Sequence, residues 1–496
     1  MVPTMHELAG SLTALSPAFC GALMGLAVAA KYSREAPGTT AVLSGAGGVF
    51  GYLLLALVIQ WQDARGAVVF SPFLKQALWI LMLCLAVTCV RLWRNSTAKL
   101  AGLEVTGSAG SAASTLRWAM LFLFGLLVFS VLLQAAISPV SSWDGLGLWT
   151  TWADMLLEYE FDPEGYSGRT RAEHGAFSWR HPRHPPSLYY LVAFNGFAFN
   201  GSDLIRGWLI PWSAVWLCGA VVVWGAVREL SGSSRVALFS ACAYSALPLL
   251  ENHAILVGYA DFWNAILVTL AVACFSLALT GGSRLMWLFA VVATLSLTLL
   301  KNTGVLYVIA VTLPLVAVLL GRWSPLLLAS LFIAILPLTA WFYFTGFNIQ
   351  FTGFNFALIR GDAEQVIFGG WAMTFDRYPL WGIISNHAWA FFVNQSFSLV
   401  GTFWVLGLLV AMSLKTAACS TDRHALFYGL GAALGLIIVF SLPQLITSYA
   451  ENYAISSSDL GNSRFLLPVG PVVIISTGLL SKVLSRKYPE RKFRNL

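Results

Sequence analysis

The sequence predicts an all-α, polytopic membrane protein with about thirteen transmembrane helices, and three observations carry that prediction. Of the 496 residues only 10% are charged while 58% are hydrophobic, against roughly 25% charged in an ordinary soluble domain. The mean hydropathy is +0.75. Apolar runs of about 18 residues or more, with 20 Trp and 33 Phe spread among them, recur from end to end, and a run of that length crosses the hydrocarbon core as a helix. The length alone would suggest about three soluble domains, and this composition excludes them.

The expected spans lie near residues 11–30, 40–60, 76–92, 118–138, 207–227, 236–250, 262–280, 285–300, 305–321, 324–342, 390–412, 424–446 and 465–483. The first has no Lys or Arg between Met1 and Gly10, so it lacks the basic n-region of a cleavable signal and is expected to stay as a helix. The stretch from Pro186 to Phe199 is about 14 residues long, which suits an interfacial or re-entrant helix better than a span. Prolines are tolerated at its start, and Tyr189 with Tyr190 would sit at headgroup level. Cys20, Cys84, Cys89, Cys218, Cys242 and Cys274 fall inside apolar runs and Cys419 follows one, so they read as packing residues and not as a disulfide framework.

The net charge of +7 comes from short basic clusters between apolar runs, a pattern that orients a membrane protein and gives no reason to expect nucleic acid. Lys31 and Arg34 follow the first helix, and Arg91, Arg94, Lys99 and Arg117 flank the loop after the third. The positive-inside rule puts both loops in the cytoplasm and the N-terminus outside. An odd number of spans then brings the C-terminus inside, where Lys482, Arg486, Lys487, Arg491, Lys492 and Arg494 oppose a single Glu490. Linkers with Arg228 and Arg235, with Arg284, with Arg322, and with Lys415 and Arg423 fall on the same side. Plasma (inner) membrane is the expected location.

Four outer loops remain, 138–185, 250–261, 345–386 and 446–464, and they hold nearly all the ionisable residues that are not topological signals. The first is too long to be a mere connector, and long loops on a rigid scaffold usually carry function. In Trp143-Asp144-Gly145-Leu146-Gly147-Leu148-Trp149 a carboxylate follows a span directly. Asp144 is either a general base for a hydroxyl at the membrane surface or a helix cap or ion-pair partner. In His181-Pro182-Arg183-His184-Pro185-Pro186 closely spaced prolines stiffen the chain; the two histidines have no evident third ligand and a non-helical spacing, which argues against a metal.

Glu251 and His253 precede Gly258-Tyr259-Ala260-Asp261. Asp261 either orients an acceptor or caps the following helix, which Asp does well. Lys301, in Lys301-Asn302-Thr303-Gly304, and Arg464, in Asn462-Ser463-Arg464-Phe465, lie on the outer side against the positive-inside bias. A phosphate at headgroup level accounts for both, with the guanidinium as fork and the ammonium as point charge; ion pairs with Glu451 or Asp459 are the structural alternative.

The order of these motifs, WDGLGLWTTWA, HPRHPPSLYYL, GYAD, LLKNTG and SRFLLPVGP, resembles that of the polytopic glycosyltransferases of the GT-C fold, near the protein O-mannosyltransferases and the lipid A aminoarabinose and galacturonosyl transferases. The resemblance covers roughly 118–484. It implies extra transmembrane helices over 1–117, a GT-C-like catalytic core over 118–484 with a long structured outer loop at 138–206 and juxtamembrane helices, and a basic cytoplasmic tail at 485–496. It assigns the catalytic base to Asp144, the acidic second-loop positions to Asp261 and Glu251, and donor-phosphate contacts to Lys301 and Arg464. His181, Arg183, His184 and Tyr189 are supporting outer-loop residues. Two departures stand out: the first three helices have no counterpart in the usual core, and Trp152 stands beside Ala153 where relatives often carry a base.

The implied activity is transfer of a sugar, with inversion, from a polyprenyl-phosphate donor to a hydroxyl of a lipid, glycan or protein acceptor on the extracytoplasmic face of the bilayer. No cofactor is required; Mg or Mn on Asp144, Glu251 and Asp261 is the one oxygen-ligand option, and no metal site is assigned. A lipid-linked glycan ligase or polymerase is the main alternative. Such proteins commonly rely on a long late outer loop with Arg and His, whereas here the acidic early loop is the richest and the late one holds mainly Arg360, Asp362, Glu364, Asp376, Arg377 and His387. A lipid or solute transporter would place ionisable groups at mid-membrane and show paired repeats, and the sequence shows few such groups and no convincing repeat.

Overall fold

The structure, a computed structural model, describes residues 5–32, 36–63, 72–100, 111–138, 153, 157, 187–199, 209–255, 258–301, 303–323, 347–351, 354–359, 365–368, 371–374, 404–405, 420–446 and 466–487. Seven of the described helices are long and apolar enough to cross a membrane, which makes the chain a polytopic helical membrane protein. The expected spans 324–342 and 390–412 lie outside the described residues, residues 404–405 apart. The chain divides into two compact units, one made of residues 1–181 and 186–274 and the other of 182–185 and 275–496.

The first unit opens with α1 (Met5–Tyr32) and α2 (Pro37–Asp63). Gly21 of α1 faces Gly47 and Gly51 of α2, and Gly25, one turn on, faces the backbone of Leu43 and Ser44. A Cβ on Gly21 would strike the Gly47 carbonyl, and one on Gly51 the Pro17 carbonyl, so the two backbones touch. Lipid supplies no hydrophobic drive for helix association, and close backbone packing through small residues replaces it. The opposite stripe of α2 does the same with α6 (Ile210–Ser231): Gly38 meets Gly225, and Gly45 and Gly48 meet Cys218. The two N-terminal helices are thus integral to this unit.

After α2 in sequence come α3 (Pro72–Leu100) and α4 (Ser111–Ile137). Trp79 of α3 donates its indole N–H to Thr13 Oγ1 of α1 at 3.1 Å. Helix α4 is barely covered: Trp118, Phe122, Phe129 and Ile137 are 65 to 74% exposed, which suits a helix facing acyl chains.

The stretch at 186–199 forms α5 (Ser187–Ala198), a helix of 12 residues and not a candidate span. Tyr189 and Tyr190 are buried, because α5 packs against other helices of the first unit. Tyr190 and Phe194 share a cluster with Leu55 and Ile59 of α2, and Ala198 shares one with Ala14 of α1 and Ile210 of α6.

The expected span 236–250 is corrected to two pieces, α7 (Ser234–Ser245) and α8 (Pro248–Ile255). Pro248 lacks an N–H and disfavours helical backbone in the residue before it, so α7 stops two residues earlier. Gly232, at φ 72°, ends α6 in the left-handed conformation, and the Ser233 hydroxyl caps α7 by accepting from Val236 N. The next helix, α9 (Ala260–Gly281), is buried from Ala260 to Leu279. Trp212 of α6 packs on Trp263 of α9 and Gly219 of α6 on Ile266, so the two helices run in the same direction. Residues 234–255 between them therefore return the chain from one end of α6 to the other.

In the second unit, α10 (Arg284–Ser296) continues into a 3-10 turn at Leu297–Leu299, and the chain then reverses into α11 (Gly304–Trp323). Helices α12 (Ser420–Ile446) and α13 (Val469–Lys487) complete the described helices. The ring of Phe275 meets Trp287 and Tyr428 edge on, at 5.4 and 5.7 Å between centroids. Lys482 near the end of α13 pairs with Asp422 in the first turn of α12 at 3.1 Å.

All-α describes the membrane helices, not the whole chain. Between residues 347 and 374 an antiparallel meander runs β1 (Phe347–Phe351), β2 (Phe354–Ile359), β3 (Gln365–Phe368) and β4 (Trp371–Thr374). Its register pairs Phe351 with Phe354, Phe356 with Phe368, and Phe368 with Trp371. Aromatic residues opposite one another suit cross-strand pairing.

Candidate functional site

One end of the first unit gathers the start of α6, the start of α9, helices α5 and α8, and parts of α1 and α2. The local sequence explains the turn that leads into α9. Gly258 has φ 110°, a backbone region that side chains make costly, and it sets up Tyr259 to face two partners. The Tyr259 carbonyl accepts the Trp212 indole N–H at 3.4 Å. Its ring lies 5.1 Å from that of His253, whose Nδ1 is 2.8 Å from the Leu249 carbonyl. That ring contact ties α8, with Glu251 in its first turn, to the turn that presents Asp261.

Asp261 is the second residue of α9 and fully buried. A carboxylate at a helix N-terminus is favoured by the backbone dipole, yet burying a charge is costly without polar partners. The structural and functional readings of the residue share this placement. Below it, Trp263 is wedged edge to face between Trp212, at 5.6 Å, and Tyr52 of α2, at 5.9 Å. The Tyr52 hydroxyl donates to the Ala14 carbonyl at 2.8 Å, which fixes this wall to α1. Glu251 is half-buried, and burial pushes its carboxyl above the usual carboxylate range.

The sequence reading did not single out Asn264, which is fully buried one turn after Asp261. Among the described residues its amide nitrogen and oxygen find no hydrogen-bond partner, and neither do the indole nitrogens of Trp263 and Trp216. Native interiors leave few such groups unsatisfied, so the neighbourhood of Asp261 offers hydrogen-bonding capacity that the described residues do not consume. The i, i+3 spacing of Asp261 and Asn264 on an otherwise apolar helix was the available signal.

Lys301 lies in the second unit and is 6% exposed. Its carbonyl accepts the Gly304 N–H at 2.8 Å, and a Cβ on Gly304 would strike the Leu297 carbonyl. Glycine there allows the 3-10 turn and α11 to pack tightly with Lys301 between them. An ammonium held in an apolar membrane helix pair is costly, and such residues are default functional candidates.

Of the sequence-predicted site, Tyr189, Glu251, Asp261 and Lys301 are thus placed in packed surroundings, the first three in the first unit. Asp144, His181, Arg183, His184 and Arg464 lie outside the described residues. Among the described residues no three of His, Cys, Asp and Glu converge on a metal position; the oxygen set considered for Mg or Mn includes Asp144. No protein-family model matches the chain, and neither a curated protein nor a solved structure matches it.

Proposed function

We propose that the protein is an inverting membrane glycosyltransferase that uses a polyprenyl-phosphate-linked sugar and works on the extracytoplasmic side of an inner membrane. The observation that supports this best is the fully buried carboxylate of Asp261 at the first turn of an apolar helix, in a setting that also holds Glu251, His253 and the unsatisfied amide of Asn264. A bundle that needed only to span the bilayer would gain nothing from that burial.

In this mechanism Asp144 removes the proton of the acceptor hydroxyl as its oxygen attacks the anomeric carbon. The bond from that carbon to the phosphate oxygen breaks, and the electron pair leaves with the lipid phosphate. Lys301 and Arg464 stabilise the charge that develops on it. Asp261 and Asn264 hold acceptor or sugar hydroxyls. Lipid, glycan and protein acceptors all supply the required group.

Purified protein supplied with labelled polyprenyl-phosphate sugar should release polyprenyl phosphate, and Asp144→Asn should reduce turnover by about 100-fold to 10,000-fold. Full turnover in that variant would remove Asp144 from the reaction. For the orientation, a cysteine near Gly168 should react with an impermeant reagent from outside the cell; protection there would reverse the topology.

One observation favours the second reading, a lipid-linked glycan ligase or polymerase. The four-stranded meander over 347–374 gives the late outer loop a structure of its own, and that reading relies on this loop. Turnover of a diphosphate-linked oligosaccharide, with none of the monophosphate donor, would select it.

A further inference from the structure

Helices α11 and α12 pack closely at one point and part at another, and Pro314 marks the change. Proline removes the helical hydrogen bond to the residue four earlier, here the carbonyl of Ala310. Gly435 of α12 sits over that carbonyl, and Gly431 meets the Pro314 ring. Beyond Pro314 the helices separate and leave a groove of about 360 Å³. Its apolar wall is Ala317, Val318 and Phe427; Arg423 and His424 line it at the start of α12.

This groove is remote from Lys301. Residues 304 to 321 advance α11 by about 25 Å, which places it at the opposite end of that helix from Lys301. The same end of the second unit is rich in cations. Arg322 lies in the last turn of α11, and Arg486 and Lys487 end α13. Lys482 is bound to Asp422 at 3.1 Å, so that carboxylate is already offset. Leu313 and Val316 on α11 are 59% and 46% exposed, so the groove borders a surface that acyl chains would cover.

We propose that this groove is a binding site for an anionic phospholipid. One acyl chain lies along Ala317, Val318 and Phe427, and the phosphate lies beside Arg423 and His424. The mostly apolar wall selects a lipid over a soluble anion, and the basic rim selects an anionic headgroup over a zwitterionic one. Each basic residue near a membrane surface contributes about 1 kcal/mol toward anionic lipid, or about fivefold in binding.

Native mass spectrometry of the purified full-length chain tests this with phosphatidylglycerol and phosphatidylcholine of the same acyl chains. Phosphatidylglycerol should be retained about fivefold or more over phosphatidylcholine. The double change Arg423→Gln with His424→Gln should remove the preference, Arg423→Lys alone should keep it, and Ala317→Phe should weaken both lipids by filling the wall. Equal retention of the two lipids, or an unchanged preference in the double variant, would overturn the proposal. Binding of inorganic phosphate without phosphatidylglycerol would make this a free-anion site and also overturn it. So would cross-linking of Val318→Cys between two copies in vesicles, since a protein surface would then fill the groove. None of these outcomes depends on glycosyl transfer.

Discussion

The indole of Trp212 meets that of Trp263 edge to face at 5.6 Å, and through its N–H it also holds the carbonyl of Tyr259. One side chain of α6 therefore sets both the position of α9 and the turn that delivers Asp261 to it.

Removing that side chain should loosen the whole end of the first unit. Trp212→Ala is expected to cost about 3 to 5 kcal/mol and to lower the thermal midpoint in detergent. Trp212→Phe keeps one aromatic ring against Trp263 and loses the N–H and the second ring, so its loss should be smaller. Equal midpoints for the two variants would show that the ring contact contributes nothing.

Helix contact through glycine makes an asymmetric prediction for two substitutions of the same kind. Gly47→Leu places side-chain atoms on the Gly21 carbonyl and should destroy monodispersity in size-exclusion chromatography. Gly125→Leu has nothing within 4 Å of the added Cβ and should elute as the parent does. If both behave alike, the backbone contact between α1 and α2 is not what holds them together.

Glu251 should leave a pH signature. Its carboxyl is raised in the folded protein by desolvation, so the fold favours the protonated form. The stability associated with that shift is fully present below the ordinary carboxyl range and is lost as pH rises through the folded value. Glu251→Gln mimics the protonated state, so it should exceed the parent in thermal midpoint at neutral pH and match it in acid. A difference that does not change with pH would contradict the assigned burial.

Asn264 separates a packing role from a functional one. Asn264→Leu replaces unsatisfied polar atoms with an apolar group of similar size, a change that is often neutral or stabilising. We expect a raised midpoint together with a fall in turnover of polyprenyl-phosphate sugar. A raised midpoint with turnover unaltered would make Asn264 a passive core residue.

The long apolar runs were legible because hydropathy over some twenty residues needs no tertiary context. What escaped was decided by neighbours. Nothing local to Tyr189 foretells its burial, which depends on where α5 packs. The break at 246–247 was visible in Pro248 but was outweighed by the apolar character of 236–250. The meander over 347–374 had a readable sign in Phe354-Asn355-Phe356 and in the Gly369-Gly370 pair, which hairpins favour. The four-residue glycine spacing in α1 and α2 was equally readable. Asp261 and Glu251 were picked out for their chemistry; that they share one structural unit follows from the contact of His253 with Tyr259, which spacing does not encode.

The glycine-lined pairing of α1 with α2 bears on biogenesis. Both strands of that hairpin emerge from the ribosome before any later segment exists, and their contact needs no partner beyond themselves. Gly38, Gly45 and Gly48 remain on the other face of α2, the face on which the later-made α6 seats in the finished fold.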